Sequence, residues 1–219
     1  MGLTGEKELL EAAALSLAAG ERELFEALTR FAVQRYQAAD RAAARIRQRL
    51  AEGAPTAELQ VEVHAFLREC WDVLDGLGRQ INVCLYRRFP GSRLYPPDRL
   101  TRQCTFYTVR RGLHASEATC SHPLAALLWE ETRAHEHPAY ARLSFLYNLA
   151  LFAPLPLPQG NRFPATDGLP DHLRALVKAQ DVAGVSLEAG TQEILAWLGD
   201  FAGRCYGLMV STMAQGPTR

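Results

Sequence analysis

The chain has 219 residues, 48% of them hydrophobic, and its 24 basic residues balance its 24 acidic residues. This length and composition are typical of one soluble globular domain that buries a core without a metal or a disulfide. Zero net charge excludes whole-molecule electrostatic attraction as the main source of binding to nucleic acid or to an anionic membrane.

The first predicted elements are helices. A short amphipathic helix over residues 6–19 is interrupted by Gly20, and an Ala-rich helix follows over 21–52, ended by Gly53 and Pro55. Thr56 caps a third helix that runs to Phe89. At 1.5 Å per residue the two long helices are each ~50 Å long. The sequence therefore predicts a long antiparallel helix hairpin as the backbone of the fold.

The most regular part of this hairpin is residues 66–86, FLRECWDVLDGLGRQINVCLY. Its apolar residues recur at three- and four-residue steps and form one stripe, in which Gly78 lets another helix approach closely. Asp75 and Asn82 lie together at the edge of the stripe. With Asn148 farther along the chain they form a candidate polar seam, suited to a ligand, a partner or a register lock.

The second half of the chain also predicts helices. Residues 99–111 favour a short helix over a strand, and two His-Pro pairs open helices over 123–134 and 138–153. Five prolines make residues 154–170 an ordered strap over the bundle, followed by a short helix to residue 180 and a last helix over 187–214. We expect a single all-α domain, with an N-terminal helical part over 1–55 and a helical bundle core over 56–214.

Charge is concentrated in residues 86–114, where seven arginines accompany a single acid, Asp98. The arginines are Arg87, Arg88, Arg93, Arg99, Arg102, Arg110 and Arg111. Aromatic residues such as Tyr107 are interleaved among them, a combination that grips RNA, a nucleotide or an acidic partner. The alternative is internal pairing with acids such as Glu117, Glu130 and Glu131, and both interpretations stay open.

The stretch 66–86 resembles the first conserved helix of HEPN-type bundles, which carries a Leu-Asp-x-Leu-x-x-x-Ile-Asn pattern. Downstream, HPAYARLSFLYNLALFAPLPLP resembles the helix that those proteins use for chemistry and the proline-containing loop after it. The resemblance covers residues 56–213, including a closing helix with Tyr206 near its end. It implies a helical bundle that pairs as a homodimer.

Many HEPN proteins are ribonucleases, and the resemblance implies an Arg, a polar residue and a His about five positions after the Arg. In this chain Tyr147, Asn148 and Phe152 stand at those positions. Tyrosine carries no permanent positive charge and phenylalanine cannot transfer a proton. The scaffold is therefore expected without the nuclease centre.

The sequence thus predicts a non-catalytic, HEPN-like binding protein that forms a homodimer through a helical face near Gly78 and Asn148. Its arginine-rich segment is expected to contact a protein, RNA or a nucleotide. We expect no catalytic residue, cofactor or metal, and no membrane contact, because no apolar run of about 18 residues occurs. Five cysteines without a CxxC spacing and an N-terminus unlike a signal peptide indicate a cytoplasmic location. The alternative is a bundle hydrolase or metal-dependent enzyme that uses His114, His122, His135 or His137.

Overall fold

The computed structural model describes residues 3–100, 103–132, 137–152, 155, 157, 162–164, 171 and 184–215. This part of the chain is helical and contains no strand, which confirms the predicted all-α class. Its helices are α1 Glu6–Ser16, α2 Ala19–Ala51, α3 Thr56–Tyr86, α4 Phe106–His114, α5 Pro123–Glu131, α6 Pro138–Phe152 and α7 Leu187–Ala214.

Three helix boundaries differ between the prediction and the structure. The break between α1 and α2 falls at Leu17, so Gly20 lies in the first turn of α2. The third helix ends at Tyr86 rather than at residue 89. The helix predicted over 99–111 begins only at Phe106, because Thr105 and Thr108 form a reciprocal capping box there.

The proline-rich strap is described in part. Within it Leu155 and Phe163 are fully buried, as the prediction of an ordered segment requires. The side chains of Gln60 and His64 on α3 hold the Leu155 backbone, at 2.7 Å from its carbonyl oxygen and 3.4 Å from its nitrogen. Residues 154, 156, 158–161 and 165–170 of the strap lie outside the described residues, as do residues 172–180 of the helix predicted after it.

Helices α2 and α3 run antiparallel, as predicted. Four side-chain pairs join them. From one pair to the next, the residue number rises along α2 and falls along α3, which shows the antiparallel direction. The pairs are Thr29 with Gln80, Arg35 with Asp72, Arg45 with Glu62, and Arg49 with Glu58.

The chain divides into two compact units. Unit 1 comprises Met1–Tyr36, Asp72–Glu131 and Gly199–Arg219, and unit 2 comprises Gln37–Trp71 and Thr132–Leu198. The residues of α2, α3 and α7 are divided between the units. No helix of the described part is long and apolar enough to cross a membrane.

The core of unit 1 combines aromatic packing with a buried polar chain. Phe106 and Phe201 meet edge to face with ring centroids 5.9 Å apart. Gln80 donates to the Thr29 hydroxyl at 2.7 Å, and that hydroxyl donates to a backbone oxygen of its own helix. Burial raises the pKa of Tyr206, and the nearby Gln80 side chain partly opposes that shift.

The core of unit 2 contains an ion pair as well as apolar side chains. Arg142 on α6 has a side chain only 7% exposed and lies 3.2 Å from a carboxylate oxygen of Glu193 on α7. Tyr140 and Trp197 pack beside it with ring centroids 5.7 Å apart. The ion pair and the aromatic contact both join α6 to the N-terminal half of α7.

Candidate functional site

The arginine-rich segment begins with a loop that α3 holds through a backbone clamp. The Asn82 side chain accepts a hydrogen bond from the Tyr95 N–H at 2.8 Å and donates one to the Tyr95 carbonyl oxygen at 2.7 Å. Both groups of one peptide residue are thereby satisfied by a single buried amide. In the described structure Asn82 therefore positions the loop.

Helix α4 starts against α3. A Cβ atom on Gly78 would lie 2.7 Å from the Cα atom of Phe106, so the glycine is needed for the close approach that the sequence predicted. Asp75 accepts the Phe106 N–H at 2.8 Å, which adds a carboxylate to the N-terminus of α4. Burial raises the pKa of Asp75, and this hydrogen bond and Arg79 partly oppose the shift.

The third member of the candidate polar seam is elsewhere. Asn148 lies in unit 2, whereas Asp75 and Asn82 lie in unit 1. Its side chain donates to the Ser144 carbonyl oxygen of its own helix at 2.8 Å. The three residues thus have separate partners.

Helix α4 has two chemically different faces. Phe106, Val109, Gly112 and Leu113 are buried. Tyr107, Arg110, Arg111 and His114 recur at three- and four-residue steps and share the opposite face. The helix holds no acidic residue in its first turn, and Arg111 and His114 lie in its last turn, where the helix dipole favours cations.

Trp129 of α5 extends this face. The His114 and Trp129 rings are stacked, with centroids 4.1 Å apart and planes 9° apart. The Arg110 guanidinium lies 5.6 Å from the Trp129 centroid and 5.3 Å from that of Tyr107, within cation–π distance of both. We call these five side chains, Tyr107, Arg110, Arg111, His114 and Trp129, the basic aromatic face.

The other arginines of the segment divide between internal contacts and solvent. Arg87 forms an ion pair with Glu21, and Arg88 donates to the Met213 carbonyl oxygen at 3.1 Å. Arg99 lies 3.9 Å from its exposed neighbour Asp98. Arg93 is exposed, and its backbone oxygen lies 2.7 Å from where a Cβ atom on Gly112 would be. Arg102 lies outside the described residues.

Internal pairing therefore accounts for only part of the basic segment. The partner of Arg87 is none of the three acids that the sequence suggested, and Glu131 accepts a hydrogen bond from Arg204 of α7. Within the described residues, no ion pair involves Arg93 or Arg111. Arg111 lies on α4 together with Arg110, whose guanidinium lies over two aromatic rings.

The histidines of the alternative enzyme hypothesis do not form a metal site within the described residues, where no group of three or more potential ligands occurs. His114 stacks on Trp129. His122 accepts the Leu124 N–H at 3.2 Å through Nδ1 and lies 3.4 Å from the Thr212 hydroxyl through Nε2. His137 is half-buried. His135 lies outside the described residues.

Tyr147, which stands at the arginine position of the resemblance, stacks on Trp71. Their ring centroids are 4.4 Å apart and their planes 3° apart. Both residues belong to unit 2. Tyr147 therefore joins α6 to α3 by aromatic packing. The Phe152 side chain lies outside what the structure describes.

Sequence reasoning missed Trp129 as a member of the face and considered His114 only for the hydrolase or metal-dependent alternative. The three- and four-residue spacing of Tyr107, Arg110, Arg111 and His114 was a usable signal for the α4 part. The contribution of α5 depends on tertiary packing.

Comparisons with protein-family models, curated proteins and solved structures found no match for the chain.

Proposed function

We propose that this chain is a non-catalytic, HEPN-like helical binding protein that contacts RNA through the basic aromatic face. The observation that carries the proposal is the row of two arginines and a histidine on one side of α4, interleaved with Tyr107 and Trp129. Arginine guanidinium groups bind phosphates, and aromatic rings stack on bases.

The positive charge of this face is local, because the chain as a whole carries no net charge. Because the whole chain has zero net charge, RNA is attracted to a local surface rather than to the molecule as a whole. A nucleotide or an acidic protein segment would use the same guanidinium groups. The aromatic rings beside them favour RNA over an acidic peptide.

The non-catalytic part of the proposal is supported by unit 2. Tyr147 is stacked on Trp71 where the resemblance implies an arginine. An arginine at position 147 would lose that ring stack, and the phenylalanine at position 152 cannot transfer a proton. We therefore propose binding without cleavage.

The test is binding of a fluorescent single-stranded RNA of about 12 nucleotides, followed by anisotropy at several salt concentrations. The double substitution Arg110→Gln/Arg111→Gln should weaken binding by about tenfold or more and reduce the salt dependence. The control is Arg45→Gln/Arg49→Gln, which removes the same charge from α2, where both arginines pair with glutamates. RNA that fails to bind, or binds both variants equally, contradicts the proposal.

We also propose that the chain pairs as a homodimer through α6 near Asn148. Leu151 is 61% exposed one turn after Tyr147, on the same side of the helix. Gly78, the other position that the sequence suggested for this contact, is covered by α4 of the same chain. Leu151→Glu should convert a dimer to a monomer in light scattering, whereas Leu15→Glu on α1 should not.

A cytoplasmic location completes the proposal. All five cysteines are free thiols, and four of them are buried. Free thiols are typical of reducing compartments. A fluorescent fusion or cell fractionation in the host tests this location directly.

A further inference from the structure

Tyr107 differs from the aromatic residues of the core because its side chain is exposed. The exposed fraction of its side chain is 52%. Of its two neighbours in the sequence, Phe106 is buried and Thr108 takes part in the helix cap. Leaving an aromatic ring in water forgoes the free energy of burying it. The ring is held at the start of the row of cations.

The planar groups of the face form a continuous series. The Arg110 guanidinium lies over the Tyr107 ring and over the Trp129 ring, and the Trp129 ring stacks on His114. The inner members of the series hold one another in place, whereas Tyr107 and His114 at its ends are exposed. A base that stacks on an end therefore meets a surface that is already ordered.

The length of the series limits the ligand. Seven residues separate Tyr107 from His114, which corresponds to about 10 Å along the helix axis. Stacked nucleotides are spaced by about 3.4 Å per strand, so the face spans about three of them. Arg110 and Arg111 lie on the same face, which provides cations for the phosphates of that span.

We infer that the ligand of this face is single-stranded RNA with unpaired bases, about three nucleotides long, for which Tyr107 is the stacking surface. The inference rests on the proposed function and specifies its substrate class. Bases of a duplex have their faces covered by neighbouring pairs, so a duplex can offer this face only its phosphates. Unpaired bases satisfy both the rings and the cations.

The experiment compares three labelled ligands of equal length and charge per strand: oligouridine, an abasic ribose-phosphate chain and blunt double-stranded RNA. Oligouridine should bind at least tenfold more tightly than the other two. Tyr107→Ala should weaken oligouridine binding by about tenfold, whereas Tyr107→Phe, which keeps the ring, should retain it. Neither variant should change binding of the abasic chain.

The outcomes separate the two proposals. If oligouridine, abasic chain and duplex bind with equal affinity and Tyr107→Ala has no effect, RNA binding stands and the unpaired-base inference is overturned. If none of the three ligands binds, the proposed function fails and the inference fails with it. Circular dichroism of Tyr107→Ala verifies that an exposed side chain was removed without loss of helix.

Discussion

Asn82 and Asn148 are two asparagines on helices, and only the first holds a separate segment of the chain. Asn82 is buried and satisfies both polar groups of Tyr95, thirteen residues away. Asn148 is half-buried and donates to its own helix. The sequence pattern predicts the same polar-seam role for both residues, because their partner groups are backbone atoms, which no side-chain pattern reveals.

Replacing Asn82 should therefore destabilise the protein much more than replacing Asn148. Asn82→Ala leaves the Tyr95 N–H and carbonyl groups without partners, at a cost of about 2–4 kcal/mol in free energy of unfolding. Asn148→Ala should change that free energy by less than about 0.5 kcal/mol, since alanine also favours the helix. Urea unfolding of both variants measures the difference, and equal effects would contradict the clamp.

Two histidines should make stability fall at acidic pH. Burial lowers the pKa of His64 from 6.5, and burial together with Arg88 lowers that of His122. Each accepts a backbone N–H in its neutral form, from Leu155 and Leu124 respectively. As pH falls below about 6.5, the unfolded chain takes up these protons first, so the free energy of unfolding decreases. Above about pH 7.5 both histidines are neutral in both states and contribute no slope.

The measurement is urea unfolding at about pH 7.5 and about pH 5.5 for the native chain and for His64→Gln/His122→Asn. The amide oxygens of the variant can accept the same N–H groups without titrating. The variant should lose less stability than the native chain between the two pH values. An unchanged pH dependence would show that other groups are responsible.

At the scale of the helices, two glycines offer a matched pair. Gly78 and Gly207 both lie inside helices of unit 1. A Cβ on Gly78 would lie 2.7 Å from a backbone atom of α4, whereas nothing lies within 4 Å of a Cβ on Gly207. Backbone atoms cannot rotate away as a flexible side chain can, so only the first position resists a methyl group.

Gly78→Ala should lower the free energy of unfolding by about 1–3 kcal/mol, because α4 must move from α3. Gly207→Ala should raise it by about 0.5–1 kcal/mol, because alanine restricts the unfolded chain and favours helix. Chemical denaturation measures both shifts. A stabilising Gly78→Ala would show that α4 does not need its close approach to α3.

Helices could be predicted well from this sequence, since apolar stripes and caps are local signals. The last helix, 187–214, has the predicted bounds, and the hairpin of α2 and α3 has the predicted direction. The start of α4 was placed seven residues too early, because the reciprocal cap of Thr105 and Thr108 competes with a plausible helix over the preceding residues. Caps decide such ends more than average propensity does.

At the scale of the whole molecule, the candidate site was predictable only in part. The sequence indicated the arginines and Tyr107, whereas Trp129 joins them through the packing of α5 beside α4. The same limit applies to Arg87, whose partner Glu21 is far away in the sequence. The periodicity of a sequence predicts which residues share one face of a helix. Tertiary contacts determine which side chains from other helices lie beside that face.

Burial of the cysteines in both units leads to a prediction for the native chain as a whole. Cys70 in unit 2 and Cys84, Cys104 and Cys205 in unit 1 are buried, whereas Cys120 is exposed. Burial raises the pKa of Cys84 to about 12 and that of Cys104 to about 11, and it also raises the pKa values of Cys70 and Cys205. Thiolate is the reactive form, so these four thiols should be protected until the protein opens.

One thiol of five should therefore react quickly with a disulfide reagent in the folded protein. The other four should react at rates lower by about 100-fold or more. Mass spectrometry of the partly modified chain should locate the fast label on Cys120. Cys120→Ser should have no fast thiol, and all of the remaining thiols should react once urea unfolds the chain. A second fast thiol in the native protein would show that one of the two cores opens readily, and its position would identify which unit does so.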